Sequence, residues 1–151
     1  MMKTGLIATT CLLLMSGLSH AADLSGTWRT IDDKSGYERA HIEITQQADN
    51  TYAGTVIDRF TIPGATPVTT CKRCPPPYTD KPIKGLQMLT GLVADPKKPG
   101  SYINGKILDP VTGKIYSCKI QLSENGKKLR LRGYVGVSAL GRSQTWLRKD
   151  K

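Results

Sequence analysis

SYINGKILDPVTGKIYSCKIQLSENGKKLRLRGYVGVSALGRSQTWLRK, residues 101–149, is the stretch whose reading decides the fold. It reads as four consecutive strands: Ser101–Asp109, Lys114–Leu122, Lys127–Val135 and Gly141–Lys149. Turn chemistry joins them. In Asp109-Pro110-Val111-Thr112-Gly113 the proline presets φ for a type I turn and the glycine can take positive φ at the exit. Asn125-Gly126, set between two alternating runs, is a strong short hairpin signal. Gly136–Leu140 is a loop of small residues. Tyr116, Cys118, Ile120 and Leu122 share one face, and Leu129, Leu131 and Gly133 oppose Lys128, Arg130, Arg132 and Tyr134. An up-and-down antiparallel sheet follows.

The upstream sequence supplies four more strands. Leu24–Ile31 puts Leu24, Gly26, Trp28 and Thr30 on one face. Ala40–Gln47 turns Ile42 and Ile44 inward and His41, Glu43 and Thr45 outward. Thr51–Thr61 places Tyr52, Val56 and Phe60 on one side. Gly85–Ala94 carries apolar residues on both parities, which predicts cover on both faces. Between the third and fourth strands, Ile62–Lys84 is rich in proline and holds Cys71 and Cys74; a loop this long in a compact domain is functional or stapled. Eight strands with one apolar face and no long helix predict an all-β fold: a single eight-stranded antiparallel up-and-down barrel, whose closure removes exposed edges. A two-sheet sandwich is the alternative the same pattern allows.

Residues 1–21 read as a cleaved signal peptide. Met1-Met2-Lys3 is a short positive region, Leu6–Leu18 is apolar, and Ser19-His20-Ala21 is a small-residue cleavage site. The apolar run is too short for a permanent span, so no transmembrane segment remains after processing. Residues 22–151 form one domain, expected to be a monomer in the periplasm or secreted. Without Lys3 the chain has 21 basic against 12 acidic residues. An exported protein seldom meets nucleic acid, so an anionic envelope surface is the partner this charge suggests.

Gly26-Thr27-Trp28 in the first strand, with a basic residue near the end of the last, resembles the signature of lipocalin and wider calycin barrels. In those folds the tryptophan packs at the closed end under an arginine or lysine. Arg148 is the match here and Arg142 the alternative. A cation over an indole contributes ~0.5–2 kcal/mol. A wider set of motifs resembles the exported bacterial family designated domain of unknown function 2147. These include Asp32-Asp33, Cys71-x-x-Cys74-Pro75, Lys81-Pro82-Ile83-x-Gly85, Gly105-x-Ile107-Leu108-Asp109-Pro110-x-x-Gly113-Lys114-x-Tyr116-Ser117-Cys118, Arg132-Gly133-Tyr134-x-Gly136 and Gly141-Arg142-Ser143-Gln144-x-Trp146-x-Arg148. The resemblance spans nearly the whole mature chain. It implies a lipocalin-like, calycin-type barrel in the Gram-negative envelope and supplies no reaction, substrate or catalytic residue.

Three cysteines remain after cleavage: Cys71, Cys74 and Cys118. An exported chain oxidises exposed pairs. Cys71 and Cys74 can close a small ring. Alternatively Cys118 can bond to one of them, stapling the loop to the barrel and stabilising it by ~4 kcal/mol in the chain-entropy model. In the first case Cys118, inward by parity, is a small buried hydrophobe. A thiol-redox role is opposed by Pro75-Pro76-Pro77, which forbids a helix after the pair. A metal site would need a fourth ligand that the spacing does not supply, so neither metal nor cofactor is expected.

Catalysis lacks its usual pieces. After cleavage His41 is the lone histidine, no Gly-x-Ser-x-Gly elbow occurs, and Asp32-Asp33 is better read as a turn than as an acid/base pair. The chain therefore reads as a binding protein for a small apolar or amphipathic molecule, with Tyr52, Phe60, Met88 and Tyr116 lining the open end and the Ile62–Lys84 loop as lid. A second reading is an envelope interaction protein using a basic exterior face of Lys119, Lys128, Arg130 and Arg132. A thiol-redox or metal function through Cys71, Cys74 and Cys118 is the third.

Overall fold

The computed structural model describes residues 23–150. The expected signal peptide lies outside the described residues. Eight strands follow one another: β1 (Gly26–Ile31), β2 (Glu38–Gln46), β3 (Tyr52–Arg59), β4 (Gln87–Ala94), β5 (Ser101–Leu108), β6 (Ile115–Leu122), β7 (Lys128–Tyr134) and β8 (Arg142–Arg148). Each pairs antiparallel with the next, and β8 pairs back onto β1 through Trp28↔Arg148 and Thr30↔Trp146. The sheet is a closed barrel, which sets the sandwich alternative aside. One short 3₁₀ turn, Ser138–Leu140, interrupts the last connection. Among the described residues, no helix is long and apolar enough to cross a membrane.

The turns form as their residues dictate. The Asp109 carboxylate accepts the Val111 and Thr112 amides, the Gly113 amide donates to the Asp109 carbonyl, and Gly113 sits at φ +76°. At the β6–β7 hairpin the Asn125 side chain accepts from the Ser123 hydroxyl and the Lys127 amide.

The up-and-down order sorts the connections by end. The loops after β1, β3, β5 and β7 gather at one mouth; the chain start and the loops after β2, β4 and β6 gather at the other end. Inward side chains from every strand meet in one core containing Trp28, Ile42, Ile44, Val56, Leu89, Leu92, Cys118, Ile120, Leu129, Leu131 and Trp146.

Three departures from strict alternation matter. Ile42 pairs with Val56 but His41 with Asp58, so β3 carries an extra residue, Ile57, and its parity flips there. Asp58 and Phe60 therefore face outward although Val56 faces inward, which corrects the expected side for Phe60. In β4, Gly54 pairs with Leu89 and Thr55 with Gln87, while Gly91 takes φ +72°. Bulges thus explain why apolar residues of β4 fall on both parities. In β5 the register shifts between Tyr102 and Gly105, with Asn104 at φ +63°.

Candidate functional site

The closed end is locked by Arg148. Its guanidinium lies 4.2 Å from the centre of the Trp28 ring. Nε donates to the Gly126 carbonyl at 2.6 Å, Nη1 to Ser25 at 2.7 Å and Nη2 to Asp23 at 2.6 Å. The Trp28 indole N–H donates to the Leu24 carbonyl at 3.0 Å. Gly26 explains the spacing before Trp28. Its φ is +135°, and a Cβ there would stand 2.6 Å from Arg148 Nη1. Arg142, the alternative partner for Trp28, is instead at the mouth, where its Nε donates to Asp33 at 3.1 Å. That pair ties β8 to the β1–β2 loop. The hydrogen bond from Arg142 holds the Asp33 carboxyl below its ordinary range.

Tyr52 belongs to the closed end as well. It is buried, meets Tyr102 edge-to-face at 5.2 Å, and donates its hydroxyl to Asp23 at 2.9 Å. Burial first, and then the Asp23 bond, push the Tyr52 hydroxyl up. Its expected place at the open end is corrected: Tyr52 opens β3, and β3 starts at the closed end.

The inner wall changes character toward the mouth. Along β6, Leu122, Ile120 and Cys118 are buried, whereas Tyr116 on the same stripe is half-buried. Ile107, Gly133 and Gln144, registered beside this stripe, are also half-buried. Thr30 and Ala40 flank the opening on the other side.

Over the mouth sits the β3–β4 connection, residues 60–86. It is a built cap. Thr70 bridges to Pro82, the Ile83 amide donates to the Thr69 carbonyl, and Ile83 is buried in the main core with Val68 packed beside it. Met88 packs against both the main core and a second, smaller cluster of Cys71, Cys74, Leu86 and Leu108. The cap thus plugs part of the opening and leaves the Tyr116–Gln144 side half-exposed.

Cys71 and Cys74 form the local disulfide inside the smaller cluster, and both are buried. Cys118 is a free, buried thiol in the barrel, pushed up to about 12 by burial. The alternative staple from Cys118 to the loop is therefore corrected, and the three sulfurs do not converge on one ligand. Cys118 packs where Gly105 leaves room: a Cβ on Gly105 would lie 2.7 Å from its sulfur.

Two concavities are bordered by residues other than the Ile107–Tyr116–Gln144 wall. Arg39, Arg59, Phe60, Ile62, Val68 and Val111 border one of about 150 Å³ at the cap edge. The other, a cleft of about 560 Å³, lies on the outer wall between Arg29, Glu38, His41, Phe60 and Lys149. Phe60 meets His41 edge-on at 5.0 Å and is 40 % exposed, so it walls this outer cleft and not the lumen. His41 points outward as its parity requires, yet it is buried. Glu38 contacts its Nε2, while Asp58 and Lys149 approach Nδ1 at 3.4 Å. The sequence concealed this cluster because Asp58 reaches His41 only through the β3 bulge. Among the described residues, no hydroxyl or thiol bonds to His41.

The basic face divides. Lys128 and Arg130 are exposed and Lys119 is half-buried. Arg132 is committed locally: Nε donates to the Ser138 carbonyl at 2.6 Å, Nη2 to Ala139 at 3.1 Å and Nη1 to the Ser143 hydroxyl at 3.0 Å. It braces the β7–β8 loop.

Residues 26–148 match the profile of DUF2147, described as an uncharacterized protein conserved in bacteria. The chain belongs to this family. A solved structure of HP1028 from Helicobacter pylori, described as belonging to the lipocalin family, superposes with a TM-score of 0.70 at 22% identity. The match covers 85% of this chain and 84% of that one. This DUF2147 member therefore has a lipocalin-like barrel. No match is found among curated proteins.

Proposed function

We propose that this DUF2147 protein is an exported binder of a slim apolar or amphipathic small molecule, held in the mouth half of its barrel. The observation that carries the reading is the burial gradient on the inner wall. The stripe is sealed at Leu122, Ile120 and Cys118 and opens at Tyr116. Ile107, Tyr116, Gly133 and Gln144 supply an apolar wall with a polar hydroxyl and amide, the mix that orients an amphiphile. The well-filled closed half restricts the ligand to the upper barrel, with Val68 and Ile83 as its other wall. Export, with processing after Ala21, is supported by the leader sequence, and the Cys71–Cys74 disulfide suits an oxidising compartment. The protein acts as a monomer.

A thermal melt with single-chain amphiphiles of graded length tests it. At a hundredfold excess over Kd, binding adds about 2.7 kcal/mol and raises the midpoint on the order of 10 °C. Tyr116→Ala should weaken binding about tenfold without abolishing folding. No midpoint shift at any chain length would refute the reading. The exterior basic face is the weaker reading, because Arg132 is engaged by its own loop.

A further inference from the structure

The exposed large hydrophobic side chains are distributed unevenly. Tyr37, Phe60, Val111, Ile115, Val135, Val137 and Leu140 are the ones among the described residues, and all seven sit at the mouth end. Tyr37 immediately precedes β2, Phe60 follows β3, Val111 and Ile115 flank the entry to β6, and the last three lie between β7 and β8. Among the described residues the closed end has none. Three of the seven are concentrated in one projecting loop: Leu140 is 82 % exposed, Val135 71 % and Val137 58 %.

That loop is braced from below. The Arg132 guanidinium accounts for the Ser138 and Ala139 carbonyls, and the Ser138–Leu140 turn buries none of its own residues. A loop whose backbone is tied down while its aliphatic side chains are held in water is arranged for contact with something apolar. The neighbouring loops carry the charge of that contact. Lys72, Arg73, Lys81 and Lys114 project from the mouth connections and take part in none of the ion pairs found among the described residues. The acidic residues Asp32 and Asp33 of the same end are paired with Arg39 and Arg142, and Asp109 is occupied capping its turn, which leaves exposed Asp80 in the cap against these four cations.

We infer that the mouth end docks on an anionic lipid bilayer, with Val135, Val137 and Leu140 entering the interface and the mouth-loop cations facing the headgroups. Apolar side chains on a rim with free cations match that surface in both properties. A partner protein groove would not need the cations spread over several loops. The inference does not require the mouth to hold a ligand; the melting assay with soluble amphiphiles reads that question separately.

The test is co-sedimentation of residues 22–151 with vesicles of phosphatidylcholine alone and of phosphatidylcholine with one-third phosphatidylglycerol. Binding to the anionic vesicles is expected to exceed binding to the neutral ones at least tenfold. The double variant Val137→Asp/Leu140→Asp should lose at least tenfold with its melting midpoint unchanged. Lys128→Glu/Arg130→Glu, in the half of β7 that starts at the closed end, should retain most binding. Absence of binding, equal binding to both vesicles, or undiminished binding of the Val137/Leu140 variant would overturn the inference. So would sedimentation showing a dimer that the same variant dissociates, since the patch would then be covered by a second copy.

Discussion

Arg148 ties together three chain segments that are distant in sequence. One planar cation covers the Trp28 ring and caps carbonyls from Gly126, Ser25 and Asp23. Arg148→Ala leaves those three acceptors to water and removes the stacking, and should cost about 2–4 kcal/mol in a urea melt. Arg148→Lys should recover only part, because an ammonium cannot reach three divergent acceptors while lying flat on an indole. A loss of less than about 1 kcal/mol for the alanine variant would mean that strand pairing alone closes this end. The tryptophan and its arginine were legible through the resemblance to the lipocalin signature, which sets a first-strand tryptophan under a cation from the last strand. Arg132 was not: its alternation reads as a solvated cation, and only the fold of the following loop brings two carbonyls into its reach.

At the level of elements, strand positions follow from alternation and turn residues, since each strand needs only its own local pattern. Facing is less local. The extra residue in β3 changes the side on which Asp58 and Phe60 emerge, and no sequence feature marks Ile57 as unpaired. The cap is likewise opaque to periodicity, because its order comes from isolated contacts with distant strands. One is very close: a Cβ on Gly113 would lie 1.9 Å from the Arg73 carbonyl oxygen, at φ +76°. Gly113→Ala should therefore displace the disulfide loop and cost about 1–3 kcal/mol. Limited proteolysis within residues 60–86 should accelerate in that variant while the barrel fragment persists. Unchanged cleavage would show that the cap does not lean on the β5–β6 turn. By contrast, the Cys71–Cys74 ring is so small that its removal should cost no more than about 2 kcal/mol.

For the molecule as a whole, several carboxylates are held below their ordinary value of 3.8 by folding. Hydrogen bonding from Arg142 lowers Asp33, and Lys84 followed by His41 lowers Asp58. At Asp23 burial works upward, but the bonds from Tyr52 and Ser25 outweigh it. Groups with depressed folded values contribute fully above the unfolded value and lose that contribution as the pH falls through the folded one. The urea midpoint should thus be nearly flat from about pH 7 to pH 5 and decline below about pH 4. Asp33→Asn should flatten the acid limb; an unaltered limb would exclude the Asp33–Arg142 pair as a contributor. The lock at Arg148 has a temporal consequence too. Ser25 and Arg148 are 123 positions apart, and β1 has no second neighbour until β8 is present. A chain that lacks β8 consequently stays an open ribbon with β1 as a free edge, unable to become a ring. Closure of the barrel therefore waits for the last strand in the sequence.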